Sequence, residues 1–343
     1  MENSVKRSAE PGYTACIFGG KGYESDVSVK SAARFITEAK ASGIKILPIF
    51  ISKCGKFYIC RNDAEESLPS ASMIPAEPCF GGFMAEGMFI PLRLAIPLLH
   101  GDHGEDGEIQ GMLSALGIRY IGADTVCGAA CADKIYTKAV ASAFGIPTLP
   151  HVLLTSDMPD TEILGSVEEI GYPLFIKPCR LGSSIGASAV SGNGDLLVAV
   201  RAAFAVSDRI MAEPLLTDKR ELECAYFSAG GIDLISAPGQ INCTGFYDYG
   251  SKYMPGGASV TDVADLDSSI RQSIMDYTAV LAKALSFRHM ARVDYFLSGD
   301  GEIYLNEINT MPGLTEGSLY PRMLNASGVD FPAFIGALLS EVR

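Results

Sequence analysis

Two strand-like segments on either side of a Gly-Asp pair constrain the fold of this chain more than any other feature. Residues 291–313 read ARVDYFLSGDGEIYLNEINTMPG, with alternating runs before and after Gly299-Asp300. Such a pair between two runs of this kind is typical of a tight β-hairpin, so the sequence predicts two antiparallel strands. The predicted register pairs Ser298 with Gly301, Asp294 with Leu305 and Arg292 with Glu307.

One face of the predicted hairpin is polar, because side chains two residues apart in a strand point the same way. It carries Arg292, Asp294, Glu307 and Asn309, and the mostly apolar face carries Val293, Tyr295, Leu297, Tyr304 and Ile308. Carboxylate and amide oxygens suit Mg²⁺, and an adjacent arginine can hold a phosphate or carboxylate. A solvated face with an Arg–Glu pair is the alternative. The position of Asn309 at the start of the irregular segment NTMPG favours a site, since loops often carry binding residues.

A second feature predicts an anion site. Residues 175–188 read FIKPCRLGSSIGAS, an apolar run that ends in Lys177 and continues into a loop of small hydrogen-bond donors. A cation loop and a carboxylate hairpin in one chain suggest a nucleoside triphosphate site. The chain has neither a G-x-x-x-x-G-K-[ST] segment nor a kinase-type glycine loop, so another device must hold the phosphates.

Composition excludes several classes of partner. The 343 residues carry a net charge of −13, which disfavours nucleic acid and anionic membranes. The longest apolar region, 81–99, is interrupted by Glu86 and Arg93, and the N-terminus lacks the apolar core of a signal peptide. We therefore expect a globular protein of the cytoplasm, with no nucleic-acid or membrane partner.

The nine cysteines predict neither a disulfide framework nor a zinc site. Cys127 and Cys131 are four residues apart and could share a helix face, but zinc would require further ligands nearby. Buried free thiols in a reducing compartment are the favoured interpretation.

The order of predicted elements indicates an α/β region followed by mixed structure. Strand and helix patterns alternate in the first third, which is typical of a parallel sheet. The order of predicted strands and helices changes near residue 121 and again near residue 213. The predicted domains are 1–121, 122–213 and 214–343, and the last of these includes a glycine-rich lid at about 247–263.

Six segments in order resemble D-alanine–D-alanine ligases of the ATP-grasp superfamily. They are FGGKGYESDVS (18–28), HGDHGEDGEIQG (100–111), DKIYTK (133–138), IKPCRLGSSIG (176–186), FYDYGSKY (246–253) and RVDYFL…NEINTMPGLTEGSLYP (292–321). One segment would be a weak signal, but six with matching spacing are specific. Residues 50–98 contribute no motif.

The resemblance implies a three-domain ATP-grasp fold with an N-terminal parallel-sheet domain and ATP between two antiparallel sheets. It implies that ATP phosphorylates the carboxylate of one D-alanine and that the amine of a second D-alanine attacks the acyl phosphate, for peptidoglycan precursor synthesis. It also implies a homodimer. The alternatives are a resistance-type ligase that makes D-Ala-D-Ser or D-Ala-D-lactate, and an ATP-grasp binding protein without turnover.

The resemblance also assigns roles to individual residues. The residues for ATP are Lys134 and Lys177 (phosphates), Glu213 and Leu216 (adenine) and Glu221 (ribose), and those for two Mg²⁺ ions, or Mn²⁺, are Asp294, Glu307 and Asn309. Taken alone, Lys134 could be an exposed lysine at a helix start, and the two ATP-binding glutamates could be surface charges.

Further roles concern the two amino acids. The matching residues are Glu24 (first ammonium), Ser183 and Tyr253 (its hydrogen-bonded partners), Lys252 (lid), Arg292 (developing charge), His100 and Glu105 (site wall), and Gly313, Ser318 and Leu319 (second carboxylate). Glu24 could instead cap a helix, and His100 could instead pair with His103 on a metal. Leu181 and Val263 depart from the family pattern, which puts lid dynamics and substrate preference in question.

Overall fold

The first third of the chain forms a closed six-stranded barrel. The computed structural model describes residues 12–60, 68–69, 72–242 and 259–341. The elements are β1 (Tyr13–Gly19), α1 (Ser25–Ala41), β2 (Leu47–Ile51), β3 (Phe57–Cys60), β4 (Met73–Cys79), β5 (Gly82–Ala85), β6 (Met88–Pro97) and α2 (Glu108–Ala115). The predicted parallel pairing is present where β1 lies between β2 and β6. The remaining neighbours are antiparallel, in a region without a sequence motif.

A smaller antiparallel sheet carries the small-residue loop. Its elements are β7 (Val152–Thr155), α5 (Asp160–Val167), β8 (Leu174–Pro178), β9 (Ser188–Val190), α6 (Asn193–Phe204) and β10 (Arg209–Pro214), with strand order β7-β10-β8-β9. Apolar residues of α5 and α6, such as Ile163 and Leu196, share a core with strand residues such as Ile210 of β10. The opposite side of the sheet is therefore left to face the rest of the protein.

The third sheet carries the predicted hairpin. Its strands are β11 (Lys219–Ala229), β12 (Ile232–Ile235), β13 (Gly239–Asn242), β14 (Ser259–Thr261), β15 (His289–Ser298) and β16 (Ile303–Asn309), in the order β14-β13-β11-β15-β16 with β12 beside β11. The helices are α3 (Thr125–Ala132), α4 (Lys134–Ala143), α7 (Ser268–Ala284), α8 (Leu319–Ala326) and α9 (Phe331–Ser340). Helices α3 and α4 share a core with this sheet through residues such as Cys127, Ala141 and Leu305.

A common core joins the barrel region to the third sheet. Phe35 of α1, Phe227 of β11 and Phe334 of α9 belong to one buried cluster. The domain boundaries near 121 and 213 stay predictions, and the change from the second to the third sheet lies between Pro214 and Lys219. In the described residues, no single helix is long and apolar enough to cross a membrane, and only the pair α8 and α9, bent by 95°, reaches that length and apolarity together.

The predicted register of the β15–β16 hairpin is wrong, although its polar face is right. The turn is one residue longer than predicted, with the Ser298 N–H donating to the Glu302 carbonyl and Gly301 at φ +91. A β-bulge then adds Asn306. The observed pairs are Arg292–Asn309, Asp294–Glu307, Tyr295–Leu305 and Phe296–Tyr304.

The longer turn and the bulge each shift the pairing register by one residue. Because side chains alternate between faces along a strand, a total shift of two residues returns each side chain to its predicted face. Arg292, Asp294, Glu307 and Asn309 therefore share one face, as expected. Between the turn and the bulge, the register is shifted by only one residue, so side chains there lie on the face opposite to the predicted one. Tyr304 consequently shares a face with Phe296, whereas the prediction placed it with the core residues.

Candidate active site

The polar face of the hairpin is a buried ion-pair network. Arg292 donates from Nε and Nη2 to the two oxygens of Asp294, each at 2.7 Å, and its Nε lies 3.3 Å from Glu223 Oε1. The Arg292 side chain is 18% exposed and that of Asp294 is 13% exposed. Burial alone would lower the pKa of Arg292, but Asp294 and Glu223 raise it well above its usual value. The alternative of a solvated sheet face is therefore wrong.

The donor chemistry of this face fits a divalent cation. Asp294 and Glu307 are cross-strand neighbours, and the Asn309 amide nitrogen donates to Asp294 Oδ2 at 3.1 Å, which leaves the amide oxygen as the possible ligand atom. Two carboxylates and an amide offer the hard oxygen atoms that Mg²⁺ prefers. Lys134 Nζ lies 3.2 Å from Glu307 Oε2 and neutralises part of this charge. The predicted metal ligands are thus brought together.

A cleft lies between the second and third sheets. Its described lining includes Lys134, Lys177, Gly182, Ser183, Lys219, Glu221, Glu223, Arg292, Asp294, Phe296, Asn306 and Glu307. Lys177 on β8 donates to Asn306 Oδ1 at 3.0 Å, and Lys134 at the start of α4 donates to the Leu181 carbonyl at 2.9 Å. Both lysines are buried, so the exposed-lysine alternative for Lys134 is wrong. Glu221 also lines this cleft, with Lys219 Nζ at 2.9 Å.

Two residues expected near adenine lie outside the described lining of this cleft. Glu213 on β10 is 1% exposed and lies between two lysines, with Lys177 Nζ at 2.5 Å and Lys138 Nζ at 3.0 Å. Leu216 is half-buried just beyond β10. Glu213 is therefore not the surface charge that it could have been, and the adenine assignments stay predictions.

A second cavity adjoins the first. Its described lining includes Glu24, His100, Glu105, Ser183, Glu223, Arg292, Glu307, Asn309, Gly313, Ser318 and Leu319. The two cavities share Ser183, Glu223, Arg292 and Glu307. Residues expected at the phosphate site and at the amino-acid sites thus line two spaces that meet at the polar face of the hairpin.

Glu24 and Ser183 connect the barrel region to the small-residue loop. Ser183 Oγ donates to Glu24 Oε1 at 2.5 Å across 159 residues of sequence. Glu24 occupies the N-cap position of α1, as the capping alternative required, but its side chain makes no capping hydrogen bond and is engaged by Ser183 instead. Ser183 and Ser184 have φ values of 51 and 59, a left-handed conformation that is uncommon for serine and often marks a functional loop.

His100 and Glu105 fix the loop that follows the hairpin. His100 contacts the Met311 carbonyl through Nδ1 at 2.8 Å and Ser31 Oγ through Nε2 at 3.0 Å. The Glu105 carboxylate accepts from the backbone N–H groups of Gly101 and Met311, at 3.0 and 3.1 Å. Burial and then the nearby Glu24 raise the pKa of Glu105 to about 8.

The alternative of a His100–His103 metal pair is wrong, because both ring nitrogens of His100 are used by protein groups. Burial lowers its pKa, which favours the neutral ring. His103 instead pairs with Glu108, at 2.7 Å between Nδ1 and Oε2.

Helix α1 and the start of α8 shape the far end of the second cavity. Ser31 accepts from the Leu314 N–H at 3.2 Å, and Arg34 donates to the Leu314 carbonyl at 2.8 Å. Ser318 precedes α8 without capping it through its side chain, and its Oγ lies 2.8 Å from Thr315 Oγ1. A helix start offers N–H donors and a partial positive charge, which suits a carboxylate.

The cysteine pair of α3 and the predicted lid have different outcomes. Cys127 and Cys131 are buried in α3 with their sulfur atoms 3.9 Å apart, as expected for free thiols in a core. Neither belongs to a candidate metal cluster among the described residues. Lys252, Tyr253 and the predicted lid up to residue 258 lie outside the described residues.

Two family models match the chain. The model described as D-ala D-ala ligase N-terminus matches residues 14–123, and that described as D-ala D-ala ligase C-terminus matches residues 140–340. The chain belongs to the D-alanine–D-alanine ligase family. It is therefore a member of a family of carbon–nitrogen bond-forming ligases that use ATP and a divalent metal.

Individual members of the ligase family cover nearly the whole chain. A D-alanine–D-alanine ligase of Treponema pallidum is 34% identical over 351 residues, which is 96% of this chain and 88% of the relative. Another, from Thermoanaerobacter sp. strain X514, is 33% identical over 95% of both chains.

Solved structures of ligases also match. The VanG D-Ala:D-Ser ligase from Enterococcus faecalis gives a TM-score of 0.87 at 30% identity and covers 97% of this chain and 100% of that chain. The D-alanine–D-alanine ligase from Coxiella burnetii gives 0.85 at 30% identity, over 97% and 94%. The predicted ATP-grasp fold is confirmed.

Sequence reasoning missed two charged residues, one that lines this ligase-family site and one that lies behind it. Glu223 lines both cavities and lies opposite Asp294 on the neighbouring strand, and its signal was the alternation of Glu221 and Glu223 in ELE. Lys138 is fully buried against Glu213, and its signal was the spacing of four residues from Lys134, which places both on one helix face.

Proposed function

We propose that this chain is an ATP-dependent ligase that joins two D-alanines into D-alanyl-D-alanine for peptidoglycan precursor synthesis. The observation that carries the proposal is the junction of the two cavities at Arg292, Glu223 and Glu307. One cavity is lined by buried lysines suited to phosphate, and the other by groups suited to amino acids. Phosphoryl donor and carboxylate acceptor thus meet at a fixed place, which is how binding lowers the barrier of a two-substrate reaction.

In this proposal ATP occupies the cleft between the sheets. Lys134 and Lys177 bind its phosphates, Glu221 accepts a hydrogen bond from the ribose, and the segment from Glu213 to Leu216 binds adenine. Asp294, Glu307 and Asn309 would hold two Mg²⁺ ions, for which Mn²⁺ can substitute, and these supply positive charge beside the transferring phosphoryl group.

The first D-alanine binds with its ammonium at Glu24 and its carboxylate at Arg292. A carboxylate oxygen attacks the γ-phosphorus, the bond to the β–γ bridging oxygen breaks, and ADP and an acyl phosphate result. Arg292 stabilises the negative charge that develops at this carboxyl group. His100 and Glu105 line this cavity and hold the loop around this position through their contacts with Met311.

The second D-alanine binds with its carboxylate at Gly313, Ser318 and Leu319. Its amine, in the free-base form, attacks the acyl carbon, phosphate leaves, and the nitrogen loses a proton. Lys252 and Tyr253, which the resemblance assigns to a lid over this site, lie outside the described residues. Family membership supports a cytoplasmic homodimer. The net charge of −13 supports the absence of nucleic-acid and membrane partners.

The test is ADP release from ATP and Mg²⁺ with D-alanine as the only amino acid. We expect ADP release that depends on D-alanine, with one D-alanyl-D-alanine formed per ADP by mass spectrometry. Tight ATP binding without D-alanine-dependent ADP release would support the alternative of a binding protein. ADP release without dipeptide would contradict ligation.

The structural similarity to a D-Ala:D-Ser ligase makes the identity of the second amino acid a separate question. We expect D-alanine to outcompete D-lactate between about pH 7 and 9, because the family's dipeptide-forming lid tyrosine is matched by Tyr253 and the acceptor site must favour an amine. D-Serine adds one hydroxyl, which a small pocket rejects by only about a hundredfold or less.

The measurement is a competition between equal D-alanine, D-serine and D-lactate, with the products resolved by mass spectrometry. Dominant D-Ala-D-Ser would keep the mechanism and move the chain to the resistance-type ligases. A dominant depsipeptide at pH 7 would contradict the expected preference.

A further inference from the structure

Lys138 is a buried cation outside the described lining of both cavities. It lies one helical turn after Lys134 on α4, and its side chain is 0% exposed. Its Nζ is 3.0 Å from Glu213 Oε2, and Lys177 Nζ is 2.5 Å from Glu213 Oε1. The Glu213 side chain is 2% exposed. Glu213 thus bridges a lysine that lines the cleft and a lysine that lies behind it.

This arrangement matters when a phosphate binds. Lys177 holds Glu213 and Asn306 in the described structure, so a phosphate that binds Lys177 competes with Glu213 for its positive charge. A buried carboxylate that loses its cation is strongly unfavourable. Lys138 reduces that obstacle, because it contacts the other Glu213 oxygen, Oε2, and this contact does not involve Lys177.

The charges around Glu213 agree with this role. Burial alone would raise the pKa of Glu213, but Lys177 and Lys138 together hold it below its usual value. Burial lowers the pKa of Lys177, Glu213 opposes that effect, and Lys138 and Lys134 add to it. Each lysine therefore supports the charge on Glu213, and the charge of Lys138 opposes the charge on Lys177.

We propose that Lys138 is a positioning residue for ATP binding: it neutralises Glu213 so that Lys177 is available to the phosphates. This inference rests on the proposed function, since it assumes that ATP binds in the cleft. Lys138 acts through Glu213, and a loss of Lys138 is therefore harmful only while Glu213 carries its charge.

The experiment is a double-mutant cycle with Lys138→Met and Glu213→Gln, which retain side-chain length. Isothermal titration calorimetry gives the ATP dissociation constant of each variant with Mg²⁺, and steady-state kinetics give KM for ATP and for D-alanine. Lys177→Met provides the reference for loss of the phosphate-facing lysine. Lys283→Met, at an exposed lysine in the last turn of α7, is the matched control.

We expect Lys138→Met to raise the ATP dissociation constant about tenfold, in the range of one lost charge-assisted contact, and to leave KM for D-alanine unchanged. In the Glu213→Gln background, the same substitution is expected to change the ATP dissociation constant less than about twofold, because no buried carboxylate remains to be neutralised.

Three results would overturn the proposal: an unchanged ATP dissociation constant in Lys138→Met, an equal loss in both backgrounds, or parallel increases in KM for ATP and D-alanine. If Lys138→Met does not fold, the comparison between Glu213→Gln and the double variant still decides, since a tenfold loss between those two contradicts the role. If the wild-type chain does not bind ATP, the proposed function fails first.

Discussion

Replacement of Glu307 by glutamine is expected to lower kcat by about a thousandfold and to leave the fold intact. Glu307 lines both cavities, pairs across the hairpin with Asp294, and lies 3.2 Å from Lys134 Nζ. Glutamine keeps the shape of the side chain but loses the charge that suits a divalent cation and balances Lys134. The substitution therefore removes electrostatic stabilisation at the point where the two cavities meet.

The measurement is ADP release at saturating ATP, D-alanine and Mg²⁺, with thermal unfolding followed by circular dichroism. Glu302→Gln is the matched control, because Glu302 is an exposed glutamate on the turn of the same hairpin. We expect the control to retain wild-type kcat. A kcat for Glu307→Gln within about threefold of wild type would remove this residue from the proposed metal site.

Arg292→Lys is expected to lower kcat by about a hundredfold to a thousandfold, the range for loss of one preorganised donor to a developing charge. Arg292 holds both oxygens of Asp294 at 2.7 Å while lying 3.3 Å from Glu223. Lysine keeps the charge, but its ammonium cannot reproduce the planar two-point contact. Asp294 and Glu223 would then be held less firmly, and the reacting carboxylate would lose its donor.

The ATP dissociation constant separates this effect from a general defect. We expect it to change less than about fivefold in Arg292→Lys, because Lys134 and Lys177 hold the phosphates in the proposed complex. Arg201→Lys is a suitable control, since Arg201 forms an exposed pair with Asp160 at 2.7 Å. Such exposed pairs contribute little. Full activity of Arg292→Lys would show that charge alone suffices at this position.

The sequence predicted the polar face of the hairpin but not its register. Alternation identified which residues share a face, and a register shift by an even number of residues does not change that assignment. The length of the turn and the bulge at Asn306 depend on how β15 and β16 meet in three dimensions, and a Gly-Asp pair does not specify this. The pairing of Asp294 with Glu307 therefore emerged only from the structure.

Distant pairings were also beyond the sequence without a resemblance. Glu24 meets Ser183 over 159 residues, and Lys138 meets Glu213 from a different element, so no local pattern connects either pair. The antiparallel part of the barrel was missed for another reason. Its strands, from β3 to β6, carry ordinary packing residues. The alternation of strands and helices in the first third predicted parallel pairing and gave no sign that these strands are antiparallel.

The bulge at Asn306 restricts how this hairpin can change during evolution. Loss of that one residue would join Leu305 directly to Glu307, and regular alternation would still place Glu307 opposite Asp294 and Asn309 opposite Arg292. The same loss would remove the amide that accepts from Lys177. A single-codon deletion at Asn306 would therefore keep the metal-ligand side chains on their face at the cost of this contact, whereas a deletion at Ile308, beyond the bulge, would turn Asn309 toward the side occupied by Val293 in one step.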